Sequence, residues 1–144
     1  MNSPVLLAVV GEAVAFEPLF VAARERGVRL GWLELDSAAF PPPTLAFAPL
    51  AGAFRAVAVG NRTSIAVKPM KGSPVLRDLL REHFLGADVV LIKGMDLFPK
   101  LTRGDTGWCL TESATVESRV TLEELFARLR KPAMRWGGPE RDPR

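Results

Sequence analysis

Two stretches decide the fold: Pro4–Gly11, PVLLAVVG, and Asp88–Gly94, DVVLIKG. Each is a short apolar run, rich in β-branched residues and closed by glycine. A strand with one wet face alternates apolar and polar residues, and these runs do not, so both of their faces must be covered. They are expected as neighbouring or near-neighbouring parallel strands in the centre of a sheet, with helices above and below.

Working outward from the first run, Ala13 to Arg26 carries Val14, Phe16, Leu19, Phe20 and Ala23 at helical spacing. Pro18 falls in the first turns, where its missing N–H does little harm, and Gly27 is placed to cap the C-terminus. Val28 to Leu35 returns to a strand pattern, giving a β-α-β opening. Upstream of the second run, Ser73 and Pro74 read as N-cap and first helical residue. The apolar stripe Val75, Leu76, Leu79, Leu80 and Phe84 follows and ends at Gly86. Before it, Phe54–Val59 and Ser64–Met70 flank the turn Gly60–Thr63 and predict an antiparallel hairpin, expected toward a sheet edge. Downstream, Leu97–Gly107 reads as a loop and Trp108–Leu110 as the start of a short final strand. Thr121 and Glu124 form a capping box ahead of Leu122, Leu125, Phe126 and Leu129.

These elements predict one α/β domain over residues 1–134, with 135–144 as a flexible C-terminal tail. The expected architecture is a small three-layer Rossmann-like or flavodoxin-like domain whose mixed sheet contains a β-hairpin. A two-layer α+β sandwich is the alternative.

Composition narrows the function classes. The chain has 144 residues, 48% of them apolar and 24% charged, which is globular rather than disordered. The net charge of +3 comes from basic residues interleaved with acids and makes no nucleic-acid footprint. One cysteine and one histidine allow neither an internal disulfide nor the usual Cys/His zinc arrangements, and no metal site is expected. The apolar run Val5–Val10 is too short for a signal peptide or a membrane span, so a cytoplasmic location without membrane contact is expected. Cys109 reads as a small core residue, His83 as the border of a helical stripe, and Arg103–Gly107 (RGDTG) as a turn. No Walker A loop, GxGxxG fingerprint or GxSxG elbow is present. Neither a catalytic residue nor a cofactor is identified.

Two places remain where function can sit. In open α/β sheets ligands bind beyond the carboxyl ends of parallel strands. The residues there are Glu12, the loop Lys68–Ser73 with Lys68, Lys71, Gly72 and Ser73, and Lys93. A strand-end lysine followed by Lys71, Gly72 and a helix N-terminus suits a small phosphate- or carboxylate-bearing ligand. The plainer reading makes Lys68 and Lys71 solvated, Gly72 a turn and Ser73 a cap. Lys93, at the end of a buried strand, needs water, a bound anion, Glu12 or Asp96 as partner. A Glu12–Lys93 contact would make the pair structural. The second place is the Pro-rich loop 38–52, with Phe40, Leu45, Phe47 and Leu50, which suits a non-enzymatic interaction or assembly module, a homodimer or a partner-subunit contact.

Overall fold

The computed structural model describes residues 3–35, 52, 54–70, 72, 73 and 75–135. They fall into two units, Met1–Asp36 with Leu76–Arg144, and Ser37–Val75. In chain order the larger unit begins with β1 (Val5–Val9), a 3-10 turn (Ala13–Phe16), α1 (Glu17–Glu25) and β2 (Leu30–Glu34). The smaller unit supplies β3 (Ala56–Val59) and β4 (Ser64–Val67). The larger unit resumes with α2 (Leu76–His83), β5 (Val89–Lys93), β6 (Lys100–Gly104), β7 (Gly107–Ser113), β8 (Val116–Val120) and α3 (Leu122–Leu129). It closes with a 3-10 turn (Pro132–Met134).

The main sheet has the order β2-β5-β1-β6-β7-β8. PVLLAVVG and DVVLIKG are adjacent parallel strands, in register from Val5↔Val89 to Val9↔Lys93. Although β1 precedes β2 in the chain, β5 inserts between them and pairs with β2 from Leu30↔Val89 to Glu34↔Lys93. Both apolar runs therefore have a strand on each side. Side chains alternate across this sheet. Val5, Leu7, Val9, Val89 and Leu91 join a cluster with Phe16, Leu19 and Ala23 on the α1 side and Leu125, Phe126 and Leu129 of α3. Leu6, Val90 and Ile92 face the other way and pack with Leu76 and Leu80 of α2. Helices on both faces of the sheet give the three-layer α/β domain that the two runs require.

The carboxyl-terminal half differs from expectation. Leu97–Gly107 is not a loop throughout: β6 occupies Lys100–Gly104 and pairs in parallel with β1, through Ala8↔Lys100 and Val9↔Leu101. From β6 the sheet turns antiparallel through β7 and β8. Only Leu101 of β6 is buried, so the strand lacks the apolar run that marks β1 and β5. In β7, Trp108 and Leu110 are buried while the residues between and after them are not. The pattern is that of a strand with one face covered.

The hairpin forms, with Ala56↔Val67 through Val59↔Ser64 in register and Gly60 N donating to Thr63 O at 2.8 Å. It is a separate two-stranded sheet, not an edge of the main one. Thr121 caps α3 by accepting a hydrogen bond from Glu124 N at 3.1 Å, and its hydroxyl donates to Glu124 Oε1 at 3.1 Å. Gly31 in β2 is required by close packing: a Cβ there would lie 2.6 Å from the Phe84 ring. Arg135 makes an antiparallel bridge to Val5; the rest of the expected tail, 136–144, lies outside the described residues, as does Pro74. Among the described residues no helix is long and apolar enough to cross a membrane.

Candidate functional site

At the carboxyl edge, β1 ends and Gly11 turns the chain with φ of 119°. Glu12, in extended backbone, leads into the 3-10 turn and then α1 on one face of the sheet. On the opposite face, α2 packs against Val90 and Ile92 of β5. Lys93 ends β5 between the ends of β1 and β2, opposite Val9 on one side and Glu34 on the other.

Lys93 Nζ donates to Glu12 Oε1 at 2.9 Å and lies 3.7 Å from Glu34 Oε1. Glu34 Oε1 also accepts from Trp32 Nε1 at 3.3 Å. The hydrogen bond to Glu12 raises the Lys93 pKa above the ordinary lysine value; partial desolvation opposes it, and the charges of Glu12 and Glu34 add to it. The partners differ in accessibility: the Glu12 side chain is 78% exposed and that of Glu34 32%. Beyond Lys93 the chain turns at Gly94, with φ of 94°. A Cβ at that position would lie 2.8 Å from the Leu35 carbonyl oxygen, so this edge admits only glycine without rearrangement.

Of the predicted ligand residues, the structure brings Glu12 and Lys93 into contact. Lys68, Gly72 and Ser73 belong to the smaller unit, where Gly72 has φ of 70°. Lys71 and the loop residues Phe40, Leu45, Phe47 and Leu50 lie outside the described residues. Asp96, the other candidate partner of Lys93, is instead ion-paired with Lys100. Spacing alone does not place Glu34; its signal is its position at the end of β2, once β5 is known to lie beside that strand. Arg103, in a sequence with the composition of a turn, has a further role: its Nη1 donates to Ala15 O at 2.7 Å and ties the 3-10 turn to β6.

Cys109 is not a core residue. It lies on the less buried face of β7, across from Thr102 and Arg119, and its thiol donates to Glu117 Oε1 at 2.9 Å. That hydrogen bond, with partial desolvation and the Glu117 charge, raises the thiol pKa; Thr102 and Arg119 act in the opposite sense. A thiol held protonated is a poor nucleophile. His83 sits 3.7 Å from Glu82 on the surface. Among the described residues no group of three or more His, Cys, Asp or Glu side chains could hold a metal ion.

No family model matches the chain. No curated protein matches it either. Solved structures do show similarity. The crystal structure of Bacillus subtilis MobB is 22% identical over 69% of this chain and 68% of its own, with a TM-score of 0.46. A second Bacillus subtilis MobB structure is 21% identical over 70% of this chain and 65% of its own, with a TM-score of 0.43. A MobB protein homolog from Bacillus stearothermophilus is 22% identical over 70% of this chain and 66% of its own, with a TM-score of 0.43.

Proposed function

We propose that this chain is a ligand-binding α/β domain that takes a small anionic molecule at the carboxyl edge of β1 and β5, with Lys93 as its cationic anchor. One observation carries the reading: a lysine ends an interior strand between neighbours whose helices lie on opposite faces of the sheet, and it is hydrogen-bonded to an exposed glutamate. Open α/β sheets bind ligands in such a crevice. Glu12 stands where a ligand's phosphate or carboxylate would stand. An exposed ion pair is weak because water solvates both partners well, so a ligand anion making several hydrogen bonds can replace the Glu12 carboxylate. Glu34, held by Trp32, stays and leaves Lys93 oriented.

Thermal unfolding tests the reading. At constant ionic strength, millimolar phosphate should raise the melting temperature of the wild type by mass action and should raise that of Lys93→Ala less. An equal rise in both proteins excludes Lys93 as the anchor.

A second reading, an assembly module, has its own support. In the smaller unit Val59 is 80% exposed and Phe54 85%, and Val57 and Ile65 are also exposed. A two-stranded hairpin with apolar side chains facing water gains from a covering surface. In this reading the covering surface belongs to a partner or a second copy, and the loop residues Phe40, Leu45, Phe47 and Leu50 contribute to the same contact.

A further inference from the structure

We infer that the opposite, amino edge of the main sheet carries a separate site, a groove that binds a small amphiphilic carboxylate. The groove has a volume of about 310 Å³. Its floor includes Val5, Val89, Phe126 and Leu129, all buried members of the larger core cluster. Its rim carries Arg26, Arg130 and Arg135, against the single carboxylate of Asp88 among the described lining residues.

That carboxylate already has a task. Asp88 Oδ2 accepts from Arg29 N at 2.8 Å, while Asp88 O accepts from Val5 N at 2.9 Å. Asp88 thus pins the starts of β1, β2 and β5 together. Among the described lining residues, Arg26 and Arg130 by themselves outnumber that one carboxylate. The Arg26 guanidinium lies 4.9 Å from the centre of the Phe126 ring and donates from Nη1 to Ala22 O at 3.2 Å. One of its five N–H groups is engaged there, and the planar cation is held over the aromatic part of the floor. Arg130 stands at the C-terminal cap of α3, and the backbone bridge from Arg135 to Val5 holds that arginine beside the groove.

An apolar floor beneath guanidinium groups selects a ligand with both characters. A carboxylate head matches the arginine fork geometry, and an alkyl or aryl body replaces water on the floor. The volume lies at the lower end of the range for small-molecule pockets, which fits a medium-chain or aromatic acid. This site is independent of Lys93 and stands or falls separately from the carboxyl-edge reading.

Calorimetric titration at fixed ionic strength tests it, with octanoate as the probe and 1-octanol as its uncharged counterpart. Octanoate should bind the full chain, and 1-octanol should bind at least about tenfold more weakly, because the ion-paired head supplies the difference. Arg130→Ala should weaken octanoate by at least about tenfold, Arg130→Lys by less, and Arg119→Ala in β8, outside the groove lining, should have no effect. In the wild type, octanoate should shift the amide resonances of Val89 and Leu129, a readout that needs no variant. No binding at millimolar octanoate, equal binding of 1-octanol, an unaffected Arg130→Ala, or resonance shifts confined to other regions would each overturn the proposal.

Discussion

Lys93 Nζ lies 2.9 Å from Glu12 Oε1, a contact between residues 81 apart in the chain that ties the end of β5 to the turn after β1. The hydrogen bond raises the lysine pKa, so the folded protein keeps this proton where the unfolded chain has begun to lose it. The stabilisation is fully present below the unfolded lysine pKa of about 10.4 and fades as pH rises through the higher folded value. The difference in urea midpoint between wild type and Lys93→Met should therefore stay constant from about pH 7 to 9 and shrink only above about pH 10.4. A difference that vanishes by pH 9 would show that the lysine is not held by this carboxylate.

Val90 is fully buried in β5, facing Leu76 and Leu80 of α2. Replacing it with aspartate puts a carboxylate among alkyl groups with no donor in reach. Val90→Asp should cost about 4 kcal/mol or more in equilibrium unfolding, a large part of the stability of a domain this size. A loss of less than about 1 kcal/mol would mean that the strand is not covered on that face.

The two apolar runs were legible because burial on both faces removes polar residues altogether. Val5–Val9 and Val89–Lys93 could occupy only the middle of a sheet, and Thr121 with Glu124 marked α3 through capping chemistry visible at fixed spacing. β6 and β8 were hidden for the opposite reason. With one face covered, Leu101 and Val120 carry the burial of their strands, and a single buried apolar residue in a strand of five leaves no apolar run to read. The site was half legible. Strand-end positions pointed to Glu12 and Lys93, but Glu34 meets Lys93 only because β5 inserts between β1 and β2, a matter of strand order that spacing does not encode.

Cys109 departs from the core position expected of it for the same reason, since β7 alternates and the cysteine falls on its wetter side. Its thiol donates to Glu117 and has a raised pKa. Alkylation by iodoacetamide at pH 8 should run several-fold slower than for a free thiol of pKa about 8.5, and Glu117→Gln should speed it. If Glu117→Gln leaves the rate unchanged, the carboxylate does not hold the proton.

The assembly reading predicts concentration-dependent sedimentation. The wild type should shift toward a dimer as concentration rises, while Val59→Glu, at a position already 80% exposed, and Phe47→Glu should remain folded monomers. A wild type that is monomeric across the range removes the self-association form of that reading.

Glu12→Gln tests the carboxyl-edge site most directly, because it separates a competitor from a support. The substitution keeps the side chain's size and removes its charge. If Glu12 occupies the place of the ligand anion, phosphate titrated calorimetrically at fixed ionic strength should bind Glu12→Gln more tightly than wild type, by about threefold to tenfold, and Lys93→Ala not at all. Wild type and Glu12→Gln with no phosphate binding at millimolar concentration would show that the Lys93–Glu12 pair is structural and that the carboxyl edge is not an anion site.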